Sequence, residues 1–473
     1  MSTSRKPLVV IGGGPGGYPA AFYAADHGLD TTLIDLDANP GGVCLYRGCI
    51  PSKALLHVAK LIHEAKEAEH WGVTFSPPKI DIKKLRDFKN QVVSKLTGGL
   101  GQMAKLRKVT TVQGRAIFTG PNSLEVTQPD GSKQKIEFEK AILATGSRPT
   151  RIPGLMIESK HVLDSTGALD LDEVPEKMLV VGGGYIGLEM GSVYAALGSK
   201  VSVVEMTATL LPGADRDLVQ HLQKRLASQF AAIKLETKVT RLEEVKGGVK
   251  VSFQNKDGST SEEVFGKVLF SIGRRPNSEN LGLETTAVKV NAKGFVEVDA
   301  QRRTHQSNIW AIGDVAGEPM LAHKATYEGK IAVEAILGKR TIYDPAAIPA
   351  VVFTDPEIAW AGLNETEATA KGIPVKVAKF PWAASGRATT LGRSDGVTKL
   401  IVHPETDQVL GVGIAGPGAG ELIAEGTLAI EMGCNVHDLA LTIHPHPTLS
   451  ETVMESAEAH FGHSPHFFQP KRK

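Results

Sequence analysis

Cys44 and Cys49, in Gly42-Val43-Cys44-Leu45-Tyr46-Arg47-Gly48-Cys49-Ile50-Pro51-Ser52-Lys53, have the type and spacing for dithiol–disulfide chemistry. In a regular helix, residues five apart rise about 7.5 Å and point about 140° apart, whereas a disulfide needs Cα atoms roughly 4.4 to 6.8 Å apart. A bridged pair therefore requires a break in the helix, and Gly48 supplies the permissive backbone. Pro51 fits the first turn of a helix running through Ala54-Leu55-Leu56 towards Glu69. Cys49 then lies near a helix N-terminus, where the dipole and Arg47 or Lys53 favour the reactive thiolate. The alternatives are two buried structural thiols or half of a zinc site. Zinc takes two more ligands at recognisable spacing, and Cys434, the remaining cysteine, stands alone.

Dithiol chemistry needs a base, because an attacking thiol must first lose its proton. His444-Pro445-His446-Pro447-Thr448-Leu449-Ser450-Glu451 offers one: a histidine moves protons near neutral pH, and a carboxylate orients its ring. The alternative is a surface histidine in a Pro-rich loop, with Glu451 favouring a first helical turn.

The elements that must position these groups include an internal repeat. Leu8-Val9-Val10-Ile11 reads as a buried strand, followed by Gly12-x-Gly14-x-x-Gly17, an Ala-rich helix to Gly28, and a second strand Thr31-Thr32-Leu33-Ile34 ending at Asp35. The order returns in Met178-Leu179-Val180-Val181, Gly182-x-Gly184-x-x-Gly187, a helix to Gly198, and Val201-Ser202-Val203-Val204 ending at Glu205. Each acid falls 23 residues after the first glycine (35 minus 12; 205 minus 182). The glycines make the tight turn, admit a pyrophosphate to the backbone and allow close helix packing, while the acid bonds a ribose 2′-hydroxyl. The repeat predicts two Rossmann-like dinucleotide sites. Because the cysteines follow the first unit, its dinucleotide should exchange electrons with a disulfide; FAD can, so the first site is assigned to FAD and the second to NAD. Glu205 would repel a 2′-phosphate, and no arginine follows it until Arg216.

Ala141-Ile142-Leu143-Ala144-Thr145-Gly146 and Phe270-Ser271-Ile272-Gly273 read as apolar strands ending in glycine turns, and Ile309-Trp310-Ala311-Ile312-Gly313-Asp314 adds an acid at a strand end. Ordinary buried strands are the alternative for each. From about Ile348 the pattern changes to α+β, with a hairpin of Thr398–Val402 and Val409–Ile414 and a helix over Glu421–Met432.

The whole chain of 473 residues should hold about three domains. With 41% hydrophobic and 22% charged residues it has an ordinary globular balance, and its net charge of +1 gives no argument for nucleic acid or an anionic membrane. Pro7–Ala25 is uncharged, but its glycines and prolines forbid a continuous apolar helix. Three cysteines suit a reducing cytosol, so a cytoplasmic location is expected, and Lys471-Arg472-Lys473 reads as a solvated tail.

Together, the cysteine motif, the two fingerprints, Ala311-Ile312-Gly313-Asp314 and His446-Pro447-Thr448 through Glu451 closely resemble the dihydrolipoamide dehydrogenase branch of the flavin disulfide reductase family, over nearly the whole chain. The resemblance implies an α/β fold with an FAD domain (1–150), an NAD domain (151–280), a return to the FAD domain (281–347) and a C-terminal α+β interface domain (348–473) that makes a homodimer. It implies that Cys44 exchanges with the lipoyl disulfide, that Cys49 faces the flavin as a charge-transfer thiolate, and that His446, partnered by Glu451, is the base acting on the other subunit's disulfide. Lys53 matches a lysine near flavin N5 and Glu189 its ion-pair partner. Asp314 matches a ligand of the ribityl chain, and Met320, Leu321, Ala322 and His323 a segment along the flavin. Gly42, Ala116, Thr145, Gly146 and Ser147 join Gly12, Gly14, Gly17 and Asp35 as expected FAD residues; Val239 and Gly273 join Gly182, Gly184, Gly187 and Glu205 for NAD. No metal is expected. The implied reaction carries electrons from protein-bound dihydrolipoyl groups to NAD. The expected partners are the lipoyl-bearing acyltransferase of a 2-oxoacid dehydrogenase complex or the lipoyl carrier of glycine cleavage.

The sequence departs from the branch's pattern at Tyr46-Arg47, which bears on the disulfide potential, and at Pro445 between the histidines, which leaves the role of His444 open. Tyr185 stands where glutathione reductase-like members cover the flavin with a tyrosine, and is expected to gate the nicotinamide site. Within the class, Glu205 argues against glutathione reductase, the absence of a cysteine pair after Cys434 against mercuric reductase, and the Cys44 and Cys49 pair against a soluble transhydrogenase. From another class, a docking module with weak catalysis would lack turnover of lipoamide.

Overall fold

The computed structural model describes residues 5–468, so the basic tail at 471–473 lies outside the described residues. The first repeat unit forms as its apolar runs dictate. Strand β1 (Lys6–Ile11) leads through the fingerprint into helix α1 (Gly17–Asp26) and strand β2 (Thr31–Asp35). Helix α2 (Gly42–Arg47) and helix α3 (Cys49–Glu67) follow, then helix α4 (Ile82–Leu106). Strands β3 (Thr110–Gln113), β4 (Arg115–Gly120), β5 (Ser123–Thr127) and β6 (Lys133–Leu143) complete a sheet in the order β3-β2-β1-β6-β5-β4. Its β3-β2-β1-β6 part is parallel, and Val9, Val10, Ile142 and Leu143 are fully buried, as expected of strands covered on both faces. The strand Ile309–Ala311, from far along the chain, pairs in parallel with β6 as the seventh member.

The second unit repeats the plan. Lys177–Val181 and Lys200–Val204 lie parallel in a five-stranded sheet, with the helix Tyr185–Ala196 between them in sequence and a three-stranded antiparallel sheet alongside. Beyond residue 348, an antiparallel sheet of five strands contains the expected hairpin, Val397–Val402 against Val409–Gly416, and the helix Ala419–Glu431 covers it. No described helix is long and apolar enough to cross a membrane. The Pro7–Ala25 stretch is the strand, loop and helix its glycines require.

One ion cluster ties the second unit to the C-terminal sheet. Lys399 Nζ, at 1% side-chain exposure, lies 2.6 Å from Asp215, 2.8 Å from Asp217 and 2.7 Å from Glu365. Burial pushes the Asp215 and Asp217 carboxyls up, but Lys399 and their other donors outweigh it and leave both lowered. Removing one partner of such a cluster strands buried charge, at about 3–5 kcal/mol. Lowered carboxyls stabilise above their unfolded values near 4, and that contribution is lost as pH falls through the folded ones. Lys399→Met is therefore expected to lose about 3–5 kcal/mol in urea unfolding at pH 7. The deficit should begin to shrink already above about pH 4, where burial makes the orphaned carboxylates protonate, and shrink further as the wild type loses its own contribution below that pH.

Candidate active site

Glycine backbones build the floor of the site. Gly12 has φ +103°, and a Cβ there would stand 2.2 Å from Ala144 O; one on Gly17 would meet Gly12 O at 1.7 Å. A Cβ on Gly14 would meet only Gly42 Cα, at 3.9 Å, so a ligand can approach the backbone at the start of α1. The acid ending each second strand closes its loop in the same way. Asp35 accepts from Gly13 N–H and, at 2.8 Å, from Asp37 N–H; Glu205 accepts from Gly183 N–H at 2.7 Å and Thr207 N–H at 2.8 Å. Burial pushes the Asp35 carboxyl up despite these donors.

Two adjoining cavities, about 260 and 360 Å³, share Gly12, Asp35, Leu36, Thr145 and Asn277. They form an elongated site reaching from Ala116 past Gly14, Gly42, Gly146, Ser147, Asp314, Met320 and Ala322 to Cys44, Cys49 and Lys53. Ser147 Oγ lies 2.5 Å from Asp314 Oδ2, tying the turn after β6 to the turn after Ile309–Ala311. Leu321 and His323 do not line the cavities. Leu321 precedes the helix Ala322–Ile336, and His323 Nε2 lies 2.7 Å from Pro349 O, with burial holding its ring pKa down. In the second unit Gly182 and Gly273 have φ +108° and +105°, and a Cβ on Gly187 would clash with Gly182 O at 2.4 Å. The Val239 side chain is buried in the core with Leu179 and Phe253, so a nucleotide contact there would be made by its backbone.

At the inner end, α2 stops at Arg47, Gly48 breaks the chain at φ −147° and ψ −116°, and α3 starts at Cys49 with Pro51 in its first turn. The helix ends at Glu67, a 3₁₀ turn carrying the chain past Glu69. All three cysteines are thiols. Cys44 donates to Cys49, and with Lys53 nearby this outweighs burial and lowers the Cys49 thiol to about 7; the same hydrogen bond, with burial, pushes Cys44 up. Arg47 plays no part: its guanidinium lies 2.6 Å from Asp37, and Tyr46 OH donates to Asn39 O, so both turn towards the 37–39 segment. The thiolate's cation is Lys53, whose Nζ lies 2.9 Å from Glu189 Oε2.

Tyr185 opens the helix Tyr185–Ala196 and lines the same cavity, its hydroxyl pushed up to about 12 by burial although Arg274 opposes the shift. Sequence reasoning missed Arg274, Asn277 and Phe353. Arg274 donates to Ser147, Asn277 exchanges hydrogen bonds with Thr145, and Phe353 N–H donates to Glu189 Oε1. Only the glycine turn at 273 marks the first two in sequence.

His446 is not brought to the cysteines. Its Nδ1 lies 2.8 Å from Glu451 Oε1, its side chain is 73% exposed, and it does not line the cysteine cavity. Burial raises the Glu451 carboxyl, but Thr448 N–H and His446 outweigh it and leave it lowered. The His444 side chain, by contrast, is buried, with Nε2 2.6 Å from Glu425 Oε1 and Nδ1 2.8 Å from Thr442 O, so it pins the loop to the helix Ala419–Glu431.

The profile of the pyridine nucleotide-disulphide oxidoreductases matches residues 6–329, and that of their dimerisation domain residues 348–457. The chain belongs to this family. A dihydrolipoyl dehydrogenase of Vibrio parahaemolyticus is 51% identical over 458 residues, covering 97% of this chain and 96% of that one. One from Thermus scotoductus is 47% identical over 454 residues, 96% of each chain. Among solved structures, LpdA from Mycobacterium tuberculosis superposes with a TM-score of 0.88 at 28% identity, covering 96% and 99% of the two chains. The flavoprotein disulfide reductase RclA from Escherichia coli, as a Cu(II) complex, gives 0.86 at 30%, with the same coverage. As an oxidoreductase of this family the chain uses FAD and NAD. The residues fit: a Cβ on Gly12, Gly17 or Gly42 would collide with backbone that shapes the cradle, and Gly14 leaves it open. The expected α/β fold with a C-terminal dimerisation domain is present.

Because Lys53 is the cation beside Cys49, Lys53→Met should raise the pH midpoint of Cys49 alkylation in the dithiol protein above about 7. Arg47→Met should leave it in place. Peptide mass spectrometry after timed iodoacetamide labelling reads both midpoints, and a shift with Arg47→Met alone would reverse the assignment.

Proposed function

We propose that the chain is a dihydrolipoyl dehydrogenase, passing electrons from protein-bound dihydrolipoyl groups through Cys44 and Cys49 to NAD. The observation that carries this reading is the Cys44–Cys49–Lys53–Glu189 constellation at the end of a dinucleotide cradle, joined to near-complete coverage of the curated dihydrolipoyl dehydrogenases. In the oxidised enzyme the two cysteines form a disulfide. A dihydrolipoyl thiol gives its proton to His446 of the partner subunit and attacks Cys44 Sγ; the Cys44–Cys49 bond breaks and Cys49 leaves as thiolate. Cys49 is the better leaving group because its thiol is the lowered one. The second dihydrolipoyl sulfur then closes the lipoyl ring and expels Cys44, which takes the first proton from His446 while the second thiol's proton replaces it on the imidazole. Glu451 fixes the imidazole so that Nε2 does this work. Bound FAD supplies the two-electron link between the dithiol and NAD.

The exposed dyad supports a dimer in which each subunit completes the other's site. His446 needs a cysteine pair that its own chain does not bring to it, and the exposed Leu428, Met432, Leu441 and Ile443 lie on the helix and loop that Glu425 and His444 join. Covering them with a second copy buries apolar surface while delivering His446 to the other site. The four-part division at 150, 280 and 347 is proposed with it, supported by the return of Ile309–Ala311 to β6. A cytoplasmic location and service to a 2-oxoacid dehydrogenase or glycine cleavage complex complete the reading. Tyr185, at the cavity with Arg274 and Glu189, is proposed as the gate to the nicotinamide.

His446→Gln is expected to keep its FAD and its NADH-dependent reduction of small electron acceptors while losing roughly 10² to 10⁴ in dihydrolipoamide turnover. Near-normal turnover would refute the base. For the gate, Tyr185→Ala should change the kinetics of NADH binding and the flavin fluorescence, and unchanged values of both would remove it.

A further inference from the structure

Lys53 and Glu189 lie in the region matched by the nucleotide-binding profile, yet part of what holds them comes from the other matched region. Phe353 follows the strand Ala350–Val352, which pairs with Glu357–Gly362 across a tight turn. The turn is anchored from several sides. Thr354 Oγ1 donates to Pro356 O at 2.9 Å, Asp355 lies 3.0 Å from Arg225 and 2.7 Å from Arg393, and Glu357 Oε2 accepts from Gly420 N–H at 2.9 Å. The ring is backed by the helix Ala419–Glu431, where a Cβ on Gly420 would come within 3.5 Å of it. From this fixed position Phe353 makes two contacts at the redox site. Its N–H donates to Glu189 Oε1 at 3.0 Å, and its ring centre lies 4.5 Å from Lys53 Nζ.

The chemistry of the two partners makes these contacts directional. Glu189 is buried, and its two oxygens are taken by Lys53 and Phe353 N–H, so the carboxylate cannot rotate without leaving a donor unpaired. An ammonium group on a flexible four-carbon stem has three donors and no preferred plane. Glu189 takes one direction and the electron-rich ring face a second, which leaves the charge aimed at the cavity that Cys49 lines. We propose that Phe353 is a positioning residue that, from the dimerisation domain, holds the Lys53–Glu189 pair against the Cys44–Cys49 dithiol of the same chain. The proposal rests on the redox reading of that dithiol.

The test uses the FAD-loaded dimer with Phe353→Leu, which keeps the N–H and loses the ring, and Phe353→Tyr, which keeps both. For Phe353→Leu the alkylation midpoint of Cys49 should rise by about half a pH unit, and kcat for dihydrolipoamide with NAD should fall roughly two- to fivefold with little change in KM. Phe353→Tyr should restore both. In a Lys53→Met background, Phe353→Leu should add nothing to the midpoint, because the ring acts through Lys53. Full additivity there, or a Phe353→Leu midpoint equal to wild type, would overturn the proposal. A wild-type enzyme without dihydrolipoamide turnover would count against the proposed function instead, and the midpoints would still decide the role of Phe353.

Discussion

A buried carboxylate must be paired from every side it presents, and Glu189 meets that demand by drawing three parts of the molecule to one point. The helix Tyr185–Ala196 carries it, α3 brings Lys53, and the C-terminal region brings the Phe353 N–H. Left unpaired, such a charge costs several kcal/mol, so the seam between these parts is held shut by electrostatics as well as packing. The same cation stands beside Cys49. The interaction that joins the parts therefore also holds a cation that, after the Cys44 hydrogen bond, favours the Cys49 thiolate.

The two dinucleotide units show how one local constraint yields one local geometry twice. In each, a glycine turn leads into a helix, and the acid ending the next strand accepts from the N–H of the residue after the first glycine. These contacts need only a few neighbouring residues and two adjacent strands. The neighbourhoods differ in what crosses the open end of each unit. At the first they are α2 and α3 with the two cysteines and the returning Gly313–Asp314 turn, all of which line that unit's cavity.

The histidine–glutamate dyad follows another logic. His446 and Glu451 are locally complete, with Glu451 also accepting from Thr448 N–H, and His444 clamps the loop from below. Exposed on its own chain, the dyad finds its cysteines on a second copy in the proposed dimer, so that association and catalysis draw on one surface.

Much of this was legible in the sequence because it is short-ranged. The strand–glycine–helix units, the helix break at Gly48, the hairpin near residue 400 and the dyad's internal pairing all arise within a few dozen residues, where residue type and periodicity carry the physics. Lys53 and Glu189 were named through resemblance, and their 2.9 Å contact spans 136 positions. Arg47 was misjudged as a possible partner of the thiolate, since sequence proximity to Cys49 does not reveal that Asp37 captures the guanidinium first. Arg274, Asn277 and Phe353 carry no local signature, because their value lies in partners that only chain folding delivers. The sequence by itself thus determined which chemical groups exist and the local turns that display them. Tertiary structure alone decided which charges meet, because pairing over long separations depends on the packing of whole sheets and helices and on no single residue's preference.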